Sequence, residues 1–270
     1  MMRLSATVVI SLLALAGCGG GDDQKRPAST NPARSTEAVS RSPQATLAAV
    51  QDAVRGAESF HIDGALTDDE GVTQLEGDVA ADGAVRLVLK QKGTVVDMIV
   101  LDQESVYIRA DEAFWKQSSA PANVQQLLAG QWVKVPADDD TAELAQQVQP
   151  DVVADCLGES VGTLSAREDT LDGEDVVVLV DDGDKPGTAP GELYVAAEDP
   201  PLPLRVRQTG ARREGGPPVD PECGSDEDES PEDRSDLRLS RWNDPVEIEA
   251  PADALDLEEI ADGADQDPAV

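Results

Sequence analysis

One histidine, three cysteines and a crowd of carboxylates are the side chains of this 270-residue chain that could carry chemistry. A nucleophilic serine or cysteine needs an imidazole base beside it, and His61 is the sole candidate. It lies in Ser59-Phe60-His61-Ile62-Asp63-Gly64, where polar and apolar residues alternate as in a strand, so a structural or rim position is expected for it. A zinc site would need more imidazoles or paired thiolates, and no C-x-x-C occurs. The densest acidic runs are Asp181-Asp182-Gly183-Asp184 and Asp226-Glu227-Asp228-Glu229. Neither has the spacing of a calcium loop, and both read as solvated turns. There is no glycine-rich phosphate loop. The expectation is a protein without catalysis, without a metal and without a cofactor.

The cysteines carry more. Met1-Met2-Arg3 supplies one positive charge, and Leu4 to Gly17 supplies none of either sign. A bilayer span needs ~20 apolar residues, so this run has the length of a secretory signal instead. Its ending, Leu15-Ala16-Gly17-Cys18, resembles a bacterial lipobox, whose cysteine is diacylated on sulfur and becomes the first residue of the mature chain. Stable anchoring takes about two acyl chains. Residues 1–17 are therefore expected to be a lipoprotein signal peptide and Cys18 the lipidation site. Residues 18–41, Gly, Pro, Ser, Thr and charge without periodicity, read as a lipid-anchored flexible tether. The chain would then sit on the extracytoplasmic face of the cell membrane. Cys156 and Cys223 remain as a pair in an exported chain. That context favours a disulfide, with two free thiols as the alternative.

Composition narrows the partners. With 55 Asp and Glu against 21 Lys and Arg, the formal net charge is −34. Phosphate recognition needs clustered cations, so nucleic acid and anionic lipid surfaces are poor partners for the molecule as a whole. Three Trp, two Tyr and two Phe are too few for a surface that stacks bases or sugars.

The elements that must position any site form one domain over 42–252. Ser42-Pro43 reads as an N-cap with proline in the first turn, and Leu47, Val50 and Val54 recur at helical spacing, which predicts a helix over 43–56. Strands follow at 59–64, 72–80, 83–90, 94–101 and 105–109, separated by short Gly- and Asp-rich turns, so the meander is antiparallel. In the fourth of these Asp97 marks the wet face, turning Val96, Met98 and Val100 inward. Short helices are expected at 111–117 and 122–129, a strand at 132–135, and a helix at 141–157 that Pro150 must kink or split. Strands resume at 160–170, 174–181, 191–197, 202–209 and 237–242. Residues 211–235 read as an acidic disordered loop and 253–270 as a disordered acidic tail. The fold class is α+β, built on one large antiparallel sheet.

The order of these elements, with "AESFHIDG", "GAVRLVL", "ESVYIRADEAFW", "QWVKVP", "GELYVAAEDPPLPLRVR" and "LRLSRWNDPVEIEAPADA", resembles the actinobacterial LppX/LprG-type lipoproteins, which are LolA-like. The likeness covers roughly residues 42–252; the loop at 211–235 departs from a compact version of the pattern. It implies a curved half-barrel sheet whose concave face is covered by helices, with an apolar cavity between. It also implies binding of a lipid or acylated small molecule and a part in its transport to the cell surface. On this reading the cavity is lined by Val85, Leu87, Leu89, Val96, Met98, Val100, Val106 and Ile108, with Phe114, Trp115, Leu127 and Leu128 on the covering helices. A packed core would want the same side chains. The competing reading is therefore a non-catalytic, membrane-anchored interaction module that meets a protein partner through its acidic loop and tail.

Overall fold

The computed structural model describes residues 41–80, 82–102, 105–117, 122–136, 145–158, 161–215, 223, 234–257 and 260. The segments expected to be signal peptide and tether, with Cys18, lie outside the described residues except for Arg41, as does most of the expected acidic loop.

Helix α1 spans Pro43–Arg55. Ser42 caps it, its hydroxyl oxygen accepting from the Ala45 N–H at 3.2 Å, and Pro43 occupies the first turn, where no donor is needed. Leu47, Val50 and Val54 share one stripe and are buried. Six strands then run as a meander: β1 (Ser59–Asp68), β2 (Gly71–Ala80), β3 (Val85–Gln91), β4 (Thr94–Val100), β5 (Val106–Ala110) and β6 (Trp132–Val135). Between β5 and β6 come two short helices, α2 (Glu112–Trp115) and α3 (Ala122–Leu128). Lys92 and Gly93 both take positive φ (50° and 86°) in the two-residue turn joining β3 to β4. This turn type matches the twist of the strands it joins.

Pro150 resolves the predicted helix at 141–157. It opens a separate helix, α4 (Pro150–Cys156), at a position where its missing N–H costs nothing; residues 145–147 form a helical turn before it. A second meander follows: β7 (Leu164–Leu171), β8 (Glu174–Asp181), β9 (Gly191–Ala196), β10 (Pro203–Gln208) and β11 (Arg234–Ser240).

The two meanders join edge to edge. β11 pairs antiparallel with β1 from His61 opposite Ser240 to Thr67 opposite Arg234. Among the described residues one open sheet of 12 strands results, closed at one edge by a short β12 (Leu255–Asp256), in the order β12-β6-β5-β4-β3-β2-β1-β11-β10-β9-β8-β7. Close approach at the seam needs Gly64, whose φ is 153° and where a Cβ would collide with the Asp236 carbonyl oxygen.

Three expectations change. β11 begins at Arg234, not at 237, so the end of the supposed loop is strand. The start of the supposed tail adds β12 (Leu255–Asp256), parallel to β6, and Leu255, Leu257 and Ile260 pack on the core. A short, largely acidic sequence gave no periodicity from which to foresee it. Asp97 stands on the outer face, and Val96, Met98 and Val100 on the inner, as its strand predicts, but Asp97 is not wet: it is 6% exposed, beneath Arg86 and Arg109.

All helices and one face of the sheet share a single apolar cluster, to which α1, α3, α4 and every strand from β1 to β6 contribute. β8 is apolar on both faces. Its Val177 and Leu179 join that core, while Val176 and Val178 form a small cluster with Tyr194 on the other side.

Candidate apolar site and outer face

Cys156, the last residue of α4, is bonded to Cys223, with the two Cα atoms 5.3 Å apart. Both are buried. The side chain of Gln51 donates to the Ala154 carbonyl at 3.0 Å, and Arg55 donates to the Asp155 carboxylate at 3.2 and 2.6 Å, so α1 grips the same end of α4. The other end is held more lightly. Gln149, before Pro150, reaches the Gly83 carbonyl at 3.3 Å.

Beneath α4 lies a recess of about 20 Å³, lined by Phe60, Ile62, Val148, Val153, Leu157, Pro203, Val206, Leu237 and Leu239. Every lining residue is apolar. One wall is the β10–β11–β1 seam, the other α4 and its flanks, where Val153 and Leu157 stand four residues apart on one helical face. The sheet wall is firmly set. Phe60 stacks on Trp242 with ring centroids 4.9 Å apart, and the Trp242 indole N–H donates to the Pro203 carbonyl at 2.9 Å. Asn243 N–H donates to the Ser59 carbonyl at 2.9 Å, and the Asn243 side-chain oxygen accepts from Glu58 N–H at 2.7 Å. A space of this size has room for about one water, and an apolar one offers that water no partner. What such a place can do chemically is exclude water and hold hydrocarbon.

None of the residues predicted to line a cavity lines this recess. Val85, Leu87, Leu89, Met98, Val100, Val106 and Ile108 are buried under the β1–β6 half of the sheet, with Phe114, Trp115 and Leu128 against them and Val96 partly buried. Leu127, expected beside Leu128, is instead 52% exposed, because α3 is a single short helix with only Val124 and Leu128 buried. The recess residues were missed because it forms across the β1–β11 pairing, which joins strands some 175 positions apart in sequence. Each strand shows its own alternation, but alternation does not name its neighbour.

His61 points away from the recess, to the outer face of the sheet. Its Nδ1 is 2.8 Å from the Asp78 carboxylate, directly opposite in β2, and Arg241 contacts both. Among the described residues, no group of three or more His, Cys, Asp or Glu could hold a metal ion. The run at 181–184 is solvated at Asp182 and Asp184, which are exposed, but not at Asp181. Asp181 is buried, and its two oxygens accept from Gly162 N–H at 2.9 Å and Gly183 N–H at 2.7 Å. Burial pushes its carboxyl up from the ordinary range despite those two donors. Asp184 takes the Thr163 N–H and hydroxyl at 2.7 and 2.8 Å, which hold its carboxyl down.

The outer face of β7–β11 is a closed charge network. Arg205 donates twice to Asp236, at 2.7 and 2.6 Å, which holds its guanidinium above the ordinary value. Glu192 accepts from the Tyr194 hydroxyl at 2.8 Å, from Arg167 at 3.1 Å and from Arg207 at 3.2 Å. Burial alone would push the Glu192 carboxyl up; the Tyr194 hydroxyl and the two arginines outweigh it, and it lies below its ordinary 4.5. Its folded pKa is thus below the unfolded one. The stability it contributes is complete above about pH 4.5 and is lost as pH falls through the folded value. Glu192→Gln should therefore show less loss of stability than the native chain on acidification below pH 4.5, read from urea midpoints across a pH series.

No family model matches the chain, and no curated protein does. Among solved structures it is similar to LprF from Mycobacterium bovis, at 18% identity and a TM-score of 0.46, over 78% of this chain and 97% of that one. It is also similar to a LolA superfamily protein from Nitrosomonas europaea, at 12% identity and a TM-score of 0.24, over 78% and 96% of the two chains. A DUF1329 family protein from Desulfovibrio piger follows at 12% and 0.24, over 75% and 92%.

Proposed function

We propose that this chain is an exported lipoprotein, anchored through Cys18 to the extracytoplasmic face of the cell membrane. It binds the hydrocarbon part of a lipid or acylated small molecule between α4 and the β10–β11–β1 seam, without catalysis. Passing that lipid towards the cell surface is the role such binding would serve. The observation that carries the reading is the lining of the recess. Nine apolar residues meet there with no charged or polar side chain among them. At about 20 Å³ the space is far below the ~300 Å³ or more of ordinary ligand pockets, so a chain enters only as the roof lifts. The roof is a seven-residue helix fixed at its Cys156 end and tied at the other through Gln149, so opening starts at Val148 to Val153.

Filling the recess tests this. Val153→Phe places a ring where the ligand would lie, and a titration with a fluorescent fatty acid should show binding weakened about fivefold or more, since overfilling a packed site costs ~1–3 kcal/mol. Val72→Phe, at an exposed strand position, should leave it unchanged. The small volume also favours the competing reading, an anchored interaction module with a packed core. That reading expects no saturable binding by the native chain at all.

A further inference from the structure

Among the described residues β7 is an edge with no strand against it. It ends the order of the sheet, far from the short β12 at the other edge. Every residue from Ser165 to Thr170 is exposed, on both faces of the strand. The ladder fixes where the backbone of β7 points. Asp182 N–H donates to the Thr163 carbonyl at 3.3 Å, so these two residues form a hydrogen-bonded pair, and every second pair along an antiparallel ladder does the same. Ser165, Arg167 and Asp169 therefore turn their backbone groups towards β8. Ala166, Glu168 and Thr170 turn theirs outward. The Thr170 N–H is taken by its neighbour, the Asp169 carboxylate, at 2.8 Å. The outward groups of Ala166 and Glu168 have no partner among the described residues.

The hairpin is acidic where this edge is open. Glu168 stands opposite Val177 and Thr170 opposite Asp175, so Glu168 and Asp175 are diagonal neighbours on the inner face. Both are exposed, and neither makes an ion pair among the described residues. On the outer face Arg167 is taken by Asp169 and Glu192, Arg207 also meets Glu192, and Arg238 reaches Asp172. With Glu174 these groups make six acids against three cations, the same sign as the chain of formal charge −34. The charges also decide what can pair here. A second β7 that keeps the two faces matched must cross the first at a residue on a two-fold axis. An axis at Arg167, Glu168 or Asp169 sets like charges opposite each other, one at Thr170 sets Glu168 against Asp172, and one at Ala166 sets Leu164 against Glu168. Charged edge residues of this kind guard a sheet against its own copies. They leave it open to a strand of the opposite charge, because a lysine or arginine opposite Glu168 stands beside Asp175 as well.

We propose that β7 takes up an extended basic segment of a partner protein as an added antiparallel strand, with a cation opposite Glu168. The outward backbone groups of Ala166 and Glu168 and the Thr170 carbonyl supply the affinity, and the acidic pair of Glu168 and Asp175 sets the register and the sign of the partner.

The test uses the full chain in neutral detergent and a labelled, acetylated peptide in which lysine and threonine alternate. When its lysines face Glu168, their backbone N–H groups face β7. Methylating those nitrogens removes the donors and keeps every charge. Fluorescence anisotropy should show saturable binding of the plain peptide, weakened at least about tenfold by the methylation, since several hydrogen bonds are lost together. Glu168→Lys, at an exposed position, should weaken it about threefold or more. Amide exchange resolved by residue should show the peptide protecting Ala166 and Glu168, while Ser165 and Arg167, already bonded to β8, change little. Equal affinity for the two peptides would mean attraction of charge alone and would overturn the proposal. So would equal binding by Glu168→Lys, no binding of the plain peptide, or unchanged exchange at Ala166 and Glu168 with the peptide bound. Protection of those two amides before any peptide is added would also overturn it, by assigning the edge to another part of this chain.

Discussion

Replacing Cys156 and Cys223 together by alanine is expected to lower the stability of the domain by about 4 kcal/mol. The bridge closes a loop of sequence separation 67, and loops of that length sit between ~3 and ~4.7 kcal/mol in the chain-entropy description. Both residues are buried, so the alanines also lose packing. The effect should not be uniform. Cys156 closes α4, and without the bridge the side-chain hydrogen bonds left at its C-terminal end among the described residues are those of Gln51 and Arg55. Urea unfolding gives the global loss. Amide exchange should show α4 opening more easily than the β3–β5 core, and a midpoint equal to that of the native chain would remove the bridge from the list of things that hold the roof.

Phe60→Ala is expected to cost about as much, roughly 3–5 kcal/mol, by a different route. Phe60 is fully buried, stacks on Trp242 and floors the recess. Its removal leaves a cavity that the clamped sheet wall, fixed by the Trp242–Pro203 and Asn243–Ser59 bonds, cannot collapse into. A small apolar molecule should then bind where the ring was. Benzene is expected to raise the melting temperature of Phe60→Ala while leaving that of the native chain nearly unchanged, as linkage requires of a ligand that binds only the folded variant. If benzene has no effect on the variant, the seam relaxes more than its hydrogen bonds suggest.

The elements of this fold were largely legible in the sequence, because each is written locally. Ser42-Pro43 announces α1, and Val85, Leu87 and Leu89 announce a face; Lys92-Gly93 announces a turn. What was not legible is what depends on neighbours distant in sequence. Asp97 reads as wet from its own strand, and only the register placing Arg109 opposite it, with Arg86 one row away, shows why a carboxylate is buried there. The twelve residues proposed as a cavity are mostly buried, so burial was readable, but the recess formed elsewhere. It depends on β11 returning to the edge of β1 and on where α4 starts, and neither follows from hydrophobic alternation.

The most direct measurement is native mass spectrometry of the lipidated chain taken from its own membranes and released from detergent in the gas phase. A mass of lipid size beyond the anchored chain is expected, and it should be absent when Val153→Phe is treated in the same way. A bare mass for the native chain, unchanged after incubation with a lipid extract of the same cells, would contradict binding beneath α4 and leave a packed core.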